Sequence, residues 1–238
     1  MSNYKYQGIE LTPAVFKDLL IQFFDGKQFS RQEAVDEIQK YHLENGGLLT
    51  KATYLATFKK AAQQLKDAGI DIIGKKMTIV GAGGAATAIQ VQAALDGVKE
   101  ISIFNRKDEF YERAQKTVKD INEKTNCKAT LYDLEDLDKL KEEIASSYIF
   151  TNATGMGMKP LEGQTYIPDK SFLREDLIVT DVVYAPAETA LLKMAKEVGC
   201  KTLNGFPMML FQGAAAFKLW TNQDMPIEHV KEVMGIQY

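Results

Sequence analysis

Hydrophobic and polar residues follow two different patterns along the chain, and the pattern changes near Gly69. From Tyr4 to about Ala68, apolar residues recur at the spacing of amphipathic helices, and no stretch predicts a strand. After Gly69, short β-branched runs alternate with helical segments, which is typical of a parallel sheet covered by helices on both faces. The pattern therefore predicts a helical domain at residues 1–69 and an α/β domain at residues 70–238.

Three helices are predicted within residues 1–69. Thr12 is followed by Pro13, a pair that marks an N-cap and a first helical residue. Ser30 begins a capping box that opens a second helix, and a third is predicted at about Tyr54–Lys66. With a glycine turn after the second helix, this mainly helical segment also fits a helix-turn-helix unit.

The second part of the chain is predicted to be a Rossmann-type, doubly wound parallel sheet. The predicted strands are Met77–Val80, Glu100–Phe104, Ala129–Leu131, Ile149–Asn152 and Leu177–Asp181. The predicted helices are Ala85–Leu95, Phe110–Lys124, Asp136–Ser146 and Glu188–Val198, with a further helix opened by Met208–Phe211.

A glycine-rich turn joins the first of these strands to its helix. Residues 81–86 read Gly-Ala-Gly-Gly-Ala-Ala, which is the dinucleotide fingerprint G-x-G-x-x-G with alanine in the third position. The first glycine permits a tight turn, the second lets the backbone approach a pyrophosphate, and the helix N-terminus favours phosphate. Glycine also marks purely structural turns. The predicted cofactor-binding residues of this turn are Gly81, Ala82, Gly83, Gly84 and Ala85.

The second strand ends in a charged segment, Asn105–Asp108. It lies about 20 residues past the glycines, where a Rossmann fold places the residue that binds the adenosine ribose. Asp108 would accept hydrogen bonds from the ribose hydroxyls, which favours NAD, whereas Arg106 or Lys107 would hold the 2′-phosphate of NADP. Because both signatures are present, the sequence leaves the choice between NAD and NADP open, and a solvated charged loop is the structural alternative.

The charge balance argues against nucleic acid as a partner. The chain has 29 Lys and Arg against 32 Asp and Glu, a net charge of -3. Residues 1–70 carry 9 basic and 8 acidic side chains, so the helical segment lacks the basic excess of most DNA-binding modules. Strong attraction to DNA or to an anionic membrane is therefore not expected.

Cysteine usage and hydropathy indicate a protein of the cytoplasm. The two cysteines, Cys127 and Cys200, stand at no metal-ligand spacing, so neither a disulfide framework nor a metal site is predicted. No apolar run approaches the roughly 20 residues that a membrane span needs. The first residues show neither a basic leader nor an apolar signal region, so export is not expected.

Five motifs occur in the order and at the spacing of one known family. They are Gly81–Ala86, Asn105–Asp108, Thr151–Met158, Asp181–Pro186 and Gln212–Ala214. From about Gly69 to Gly235 the chain resembles shikimate dehydrogenases, and its ribose loop resembles that of the quinate/shikimate dehydrogenase branch. This resemblance implies an NAD(P)-dependent oxidoreductase of aromatic amino acid biosynthesis. Its reaction would be hydride transfer between the nicotinamide and a cyclic hydroxy acid such as shikimate or quinate.

The resemblance also implies roles for individual residues. Those that would contact the cofactor beyond the glycine turn are Asn105, Arg106, Lys107, Asp108, Asn152, Thr154, Gly155, Val182, Val183, Tyr184, Ala185 and Gly205. Gln212 would hydrogen-bond a substrate hydroxyl, and Tyr184 would lie near the substrate. The alternative for these last two is that they are ordinary buried polar residues.

The family motifs that handle substrate and proton do not occur in the first part of the chain. No Ser-x-Ser precedes residue 75, and the position of the family's Asn-Thr-Asp falls on Leu55-Ala56-Thr57. The family's Lys/Asp pair is thus not recognisable, so the catalytic residues stay unassigned. Lys51, Lys59 and Lys60 lie near the right distance for a proton acceptor, but no motif selects among them.

The motifs on the reactive side also depart from the family pattern. Tyr-Asn-Pro has become Tyr184-Ala185-Pro186, which loses an amide. Gly-x-Gly-Met has become Gly205-Phe206-Pro207-Met208, and a proline there removes a backbone N–H. The phosphate-binding side therefore matches the family better than the side that would face the substrate.

Two functions remain open from the sequence. The first is the oxidoreductase that the resemblance implies. The second is a non-catalytic dinucleotide-binding or redox-sensing protein, natural or engineered, whose substrate domain is replaced by a helical interaction or DNA-binding domain. For the N-terminal helices, a dimerisation or packing role, a remodelled substrate lid and DNA binding are the alternatives, and the first would make the protein a homodimer.

Overall fold

A computed structural model of the chain describes residues 5–6, 9–10, 69–221 and 223–233. Near the start, β1 (Lys5–Tyr6) and β2 (Ile9–Glu10) form a short antiparallel hairpin. The pattern predicted no strand in this region, and the hairpin corrects that prediction, because two-residue strands are too short to show alternation of apolar and polar side chains. The three helices predicted between residues 12 and 66 lie outside the described residues.

From residue 69 onward, the described chain forms six strands, six α-helices and a short 3-10 helix at Lys170–Phe172. The strands are β3 (Lys76–Val80), β4 (Glu100–Asn105), β5 (Lys128–Asp133), β6 (Ile149–Asn152), β7 (Ile178–Asp181) and β8 (Lys201–Leu203). The helices are α1 (Gly84–Leu95), α2 (Tyr111–Lys124), α3 (Leu137–Ala145), α4 (Ala190–Val198), α5 (Phe206–Thr221) and α6 (Ile227–Val233).

The six strands from β3 to β8 form one parallel sheet in the order β5-β4-β3-β6-β7-β8. This order confirms the predicted Rossmann-type doubly wound fold, in which the strand order reverses between the first and fourth strands of the sheet. The reversal lies between β3 and β6, where Val80 pairs with Asn152. Chains leave both strands in opposite directions there, and a crevice opens beyond their carboxyl ends.

Side chains alternate between two cores, one on each face of the sheet. Met77 and Ile79 of β3 belong to the first core, with Ala86 and Ala93 of α1 and Ile121 of α2. The next residue of β3 points the other way: the second core contains Val80, Phe104, Phe150, Leu140, Ile144, Leu191 and Leu192. Because both faces are covered, the four central strands β4, β3, β6 and β7 are buried along most of their length, whereas the edge strands β5 and β8 are partly exposed.

Three short elements were not predicted from the pattern. β8 has three residues, α6 has seven and the 3-10 helix at Lys170–Phe172 has three. Elements of this length contain too few positions for an apolar period to be visible. α5 begins at Phe206 rather than at Met208, and Pro207 lies in its first turn, where a missing N–H breaks no helical hydrogen bond.

The chain divides into two compact units. One contains residues 58–209 with Tyr238, and therefore the whole parallel sheet; the other contains residues 1–57 and 210–237. The predicted division into residues 1–69 and 70–238 stays a prediction.

A buried carboxylate joins α3 to the sheet near the amino ends of the strands. Glu143 is 4% exposed, and its Oε2 accepts a hydrogen bond of 2.6 Å from Ser102 and contacts Lys76 Nζ at 2.5 Å. Its Oε1 lies 2.9 Å from Lys139 Nζ. Burial raises the pKa of Glu143, but hydrogen bonds from Lys76, Ser102 and Lys139 outweigh burial and lower the pKa to about 2. The folded state therefore favours the charged carboxylate.

We expect Glu143→Gln to destabilise the protein and to flatten its acid denaturation. The pKa is lowered from 4.5 in the folded state, so the stabilisation is present above about pH 4.5 and is lost as the pH falls toward about 2. Removing the charge at neutral pH should cost about 2 kcal/mol, since both lysines still reach solvent. Urea denaturation at about pH 7 and about pH 3 measures this.

Glu142→Gln is the matched control for this variant. Glu142 is 69% exposed and contacts the same Lys139 at 3.0 Å, so the substitution removes the same charge from the surface. We expect it to change the free energy of unfolding by less than about 0.5 kcal/mol. Equal effects of the two variants would contradict a special role for the buried carboxylate.

Candidate dinucleotide-binding site

The crevice between β3 and β6 depends on Gly81, the first residue after β3. Gly81 has φ +114°, and a Cβ there would lie 2.8 Å from the carbonyl oxygen of Ala153 and 2.9 Å from Cγ2 of Thr154. Its N–H donates to the Phe104 carbonyl at 2.8 Å. The buried Gln90 of α1 donates from Nε2 to the Gly81 carbonyl at 2.9 Å. Only glycine combines this backbone conformation with this close packing.

The N-terminus of α1 is the part of the crevice that fits a phosphate. Gly83 is the N-cap, has no side chain to cap the helix, and has φ -69° and ψ -175°. The first helical hydrogen bond runs from the Thr87 N–H to the Gly83 carbonyl, so the N–H groups of Gly84, Ala85 and Ala86 precede the helical ladder. No acidic residue lies in the first turn. The exposed donors and the helix dipole together suit an anion.

Space around these glycines supports the same interpretation. Among the described residues, excluding chain neighbours and the helix's own backbone, no heavy atom lies within 4 Å of a Cβ built on Gly83 or Gly84. The glycine at these positions is therefore not required by packing within the described chain, in contrast to Gly81. A pyrophosphate that approaches the backbone would use this open side.

The loop after β4 is fixed by its own hydrogen bonds. Asn105 is 7% exposed, and its Nδ2 donates to the Arg106 carbonyl at 2.7 Å and to Asp108 Oδ1 at 3.0 Å. The N–H of Phe110 donates to the same Oδ1 at 3.0 Å. One carboxylate oxygen of Asp108 thus holds the loop, and its Oδ2 lies 3.8 Å from Arg106 Nε. Asn105 has a positioning role that the sequence did not distinguish from direct contact.

Lys107 of this loop points toward the neighbouring strand. Its Nζ lies 2.8 Å from Oδ2 of Asp133, the last residue of β5. The hydrogen bond from Lys107 lowers the pKa of Asp133, and the hydrogen bond to Asp133 raises the pKa of Lys107. Arg106 is 64% exposed. The two cations of the loop, predicted as equivalent alternatives, are therefore in different environments.

Asn152 organises the loop that follows β6. Its Oδ1 accepts from the N–H of Thr154 at 3.2 Å and from Thr154 Oγ1 at 2.7 Å. Its Nδ2 donates to the Met156 carbonyl at 3.0 Å, and the Met156 N–H donates to Thr154 Oγ1 at 3.0 Å. Asn152 is 3% exposed, so this amide shapes the loop from beneath. Gly155 lies at the exposed side of the same loop.

Asp181 connects the loops after β6 and β7 to helix α4. Its Oδ1 accepts from Asn152 Nδ2 at 2.9 Å and from the Val183 N–H at 3.0 Å, and its Oδ2 accepts from Thr189 Oγ1 at 2.7 Å. Thr189 is also the N-cap of α4. Burial raises the pKa of Asp181, against the effect of the hydrogen bonds from Val183, Thr189 and Asn152. Both carboxylate oxygens accept hydrogen bonds from the chain, so Asp181 holds the loops after β6 and β7 against the start of α4.

The segment after β7 packs against the start of α5. Gly205 donates from its N–H to the Val183 carbonyl at 3.0 Å, and a Cβ on Gly205 would overlap the Val182 carbonyl oxygen at 1.8 Å. Asn204 Oδ1 accepts from the Phe206 N–H at 3.1 Å, which caps α5. The backbone from Val182 to Val183 is thereby held at the carboxyl edge of the sheet, close to the ends of β6 and β7.

The two predicted substrate ligands have exposed side chains. Tyr184 is 48% exposed and follows the buried Val183, next to the exposed Ala185. Gln212 is exposed on α5, in the unit that contains residues 210–237. This exposure is inconsistent with the alternative that Tyr184 and Gln212 are ordinary buried polar residues. Lys51, Lys59 and Lys60 lie outside the described residues.

Four residues of this region carry no role in the sequence-based prediction. Three of them, Gln90, Asp133 and Thr189, lie outside the five family motifs. The fourth, Asp181, is the first residue of the motif Asp181–Pro186, but no role was predicted for it. Thr189 precedes Ala190 at a helix start and has a detectable N-cap signal. The contacts of Gln90 and Asp133 link positions 9 and 26 residues apart, and no local pattern reveals such pairs.

The described part of the chain shows neither a cluster of metal ligands nor a thiol of lowered pKa. No group of three or more metal-ligating side chains occurs there. Cys127 and Cys200 are buried free thiols, and burial raises the pKa of Cys127 to about 11. Within residues 69–221 and 223–233 and the hairpin, no helix has the length and apolar character to cross a membrane.

Comparison with known proteins gives relatives for most of this chain. The family model described as "Shikimate 5'-dehydrogenase C-terminal domain" matches residues 205–234. A shikimate dehydrogenase (NADP(+)) of Listeria innocua is 66% identical over 170 residues, which are 71% of this chain and 58% of that protein. The chain thus spans a little more than half the length of the curated relatives it matches.

Solved structures agree with the fold. A shikimate 5-dehydrogenase of Listeria monocytogenes, in complex with shikimate and NAD, has 62% sequence identity and a TM-score of 0.70, covering 76% of this chain and 62% of that one. A quinate dehydrogenase of Corynebacterium glutamicum, in complex with NAD, has 29% identity and a TM-score of 0.64, covering 77% and 62%. Over these 170 residues, the glycine turn, the strand order and the 66% identity show that this chain is related to the shikimate dehydrogenases.

Proposed function

We propose that the protein is an NAD(P)-dependent oxidoreductase of the shikimate dehydrogenase type, which transfers a hydride between nicotinamide and a cyclic hydroxy acid such as shikimate or quinate. The observation that carries the proposal is the open, uncapped N-terminus of α1 at the crevice between β3 and β6. The identity to shikimate dehydrogenases supports the substrate class. A bound nicotinamide would supply the hydride acceptor or donor.

Different segments along the carboxyl edge of the sheet would bind different parts of the dinucleotide. The N–H groups of Gly84 and Ala85 would bind the pyrophosphate, and the loop of Arg106 and Asp108 would bind the adenosine ribose. The backbone at Val182–Val183, fixed by Asp181 and Gly205, would line the nicotinamide. Gln212 and Tyr184 remain proposed substrate ligands that rest on the resemblance.

We propose further that the protein acts in the cytoplasm, within aromatic amino acid biosynthesis, on a small-molecule substrate. A homodimer is the assembly we propose, with the N-terminal segment as its interface. The near-neutral charge of residues 1–70 supports a packing role over nucleic-acid binding.

Gly83→Ser should weaken dinucleotide binding and leave folding stability unchanged or slightly higher. Serine is a preferred N-cap, and the φ and ψ of Gly83 suit it, so its Oγ can accept from an N–H of the first turn. That N–H would then be withdrawn from the pyrophosphate. We expect the Kd for NADH or NADPH to rise about tenfold or more, which corresponds to about 1.4 kcal/mol. Calorimetric titration and thermal unfolding measure the two effects.

Gly81→Ala is the comparison variant, because it changes the neighbouring glycine of the same turn. Here a Cβ would meet the Ala153 carbonyl at 2.8 Å and the φ of +114° is unfavourable, so stability should fall by about 1–3 kcal/mol. Unchanged affinity in Gly83→Ser, with the fold intact, would remove the dinucleotide site from the α1 N-terminus.

Turnover decides between the enzyme and a non-catalytic binder. We expect formation of NADH or NADPH, followed by absorbance, when NAD or NADP is mixed with shikimate or quinate. A lysine scan of residues 51–66 would then locate the proton acceptor, since alcohol oxidation releases a proton as well as a hydride. Nucleotide binding without turnover on either substrate would instead favour a dinucleotide sensor.

Gln212→Ala should raise the KM for shikimate about tenfold, because a lost hydrogen bond to a substrate hydroxyl costs on the order of 1 kcal/mol or more. Gln223→Ala is the matched control, since Gln223 is also exposed but lies outside every motif. Equal KM values for the two variants would exclude Gln212 as a substrate ligand. NADH affinity should be unchanged in both.

A further inference from the structure

The end of β5 places a second carboxylate beside the predicted ribose loop. Asp133 is the last residue of β5 and pairs in register with Asn105, the last residue of β4. In a Rossmann fold, the residues that contact the 2′-position of the adenosine ribose lie just beyond the carboxyl end of the second strand, which is β4 here. Asp133 therefore lies next to the part of the site that distinguishes NADP from NAD.

Both oxygens of Asp133 have partners. Oδ1 accepts from the Glu135 N–H at 3.1 Å, which fixes the turn after β5. Oδ2 lies 2.8 Å from Lys107 Nζ. The Asp133 side chain is 27% exposed and Lys107 is 68% exposed, so the carboxylate is the more buried member of the pair and the lysine is the member that solvent or a ligand can reach.

The other cation of the loop is held less closely. Arg106 Nε lies 3.8 Å from Asp108 Oδ2, and its side chain is 64% exposed. Asp108 cannot turn toward Arg106 freely, since its Oδ1 already accepts from Asn105 and from the Phe110 N–H. Of the two cations that could meet a 2′-phosphate, Lys107 is thus the one engaged at hydrogen-bond distance.

We propose that Asp133 is a specificity-determining residue that lowers the affinity for NADP relative to NAD by holding Lys107 at the end of β5. A 2′-phosphate carries up to two negative charges and needs a cation, whereas a 2′-hydroxyl does not. While Lys107 is paired with Asp133, the phosphate loses that partner and the ribose hydroxyls lose nothing. The inference rests on the proposed function, because it assigns the cofactor preference of the same site.

Asp133→Asn tests the proposal in the full-length protein. The probes are 2′,5′-ADP and 5′-AMP, which carry the adenosine half of each cofactor, together with NADP and NAD, titrated calorimetrically at one low ionic strength. We expect the affinity ratio of the 2′-phosphorylated to the unphosphorylated ligand to rise about threefold, as for an exposed ion pair. The affinity for NAD should change by less than about twofold.

Asp120→Asn is the matched control for charge. Asp120 is also paired with a lysine, Lys124, and the substitution changes the net charge equally. It lies near the end of α2, far along the helix from the loop after β4. We expect no change in the affinity ratio. An equal rise in both variants would assign the effect to net charge and would overturn a role for Asp133.

A double-mutant cycle with Lys107→Ala separates release of the lysine from simple removal of a repulsive charge. If Asp133 acts by holding Lys107, the gain from Asp133→Asn should disappear in the Lys107→Ala background. A gain that persists there would overturn the proposal, because it would arise from direct repulsion between Asp133 and the phosphate. An unchanged ratio in Asp133→Asn, with both ligands still bound, would overturn it as well.

Failure of the proposed function would look different. If neither NADP nor NAD bound the unmodified protein, the dinucleotide site itself would be refuted, and the inference with it. If both cofactors bound but Asp133→Asn did not change the affinity ratio of the phosphorylated to the unphosphorylated ligand, the cofactor site would be retained. Only the role assigned to Asp133 would then be refuted.

Discussion

The close packing of Gly81 against the backbone at Ala153–Thr154 is the constraint on which this site depends. β3 and β6 are neighbours in the sheet, and their chains must separate immediately after their last residues. A turn this tight brings the two loops so near that a single methyl group at Gly81 would meet a carbonyl oxygen at 2.8 Å. The same turn aims the start of α1 into the crevice, so that the helix dipole and its free N–H groups face one place.

Beyond that contact, buried polar groups determine how the loops are shaped. Asn152 and Asp181 end adjacent strands and hydrogen-bond each other at 2.9 Å, and Thr189 links Asp181 to the start of α4. Each amide, carboxylate and hydroxyl in this group is nearly fully buried and has its partners, which makes the arrangement specific rather than plastic. Glu143 forms a comparable group toward the amino ends of the strands, where its contacts with Ser102 and Lys76 join α3 to the sheet.

The sheet and the glycine turn could be predicted from the sequence because their signals are local. Strand, turn and helix follow one another within residues 76–95, and each has its own periodicity or glycine requirement. β8 and the hairpin were missed, because strands of two or three residues have no period. The pairing of Lys107 with Asp133 was also invisible, since it joins separate strands and depends on register. Side-chain partners across a sheet become known only when the fold is known.

The buried carboxylates also bear on which residue could accept the proton that alcohol oxidation releases. Oxidation of an alcohol needs a group that accepts a proton, and such a group must have a free lone pair directed at the substrate. Among the described residues, the two buried carboxylates, Glu143 and Asp181, have both oxygens engaged by hydrogen bonds or ion pairs. These contacts hold loops and helix α3 in place, and both side chains are buried away from solvent. Both buried carboxylates therefore have structural roles, and if the proposed oxidation occurs, its proton acceptor is a residue other than Glu143 and Asp181.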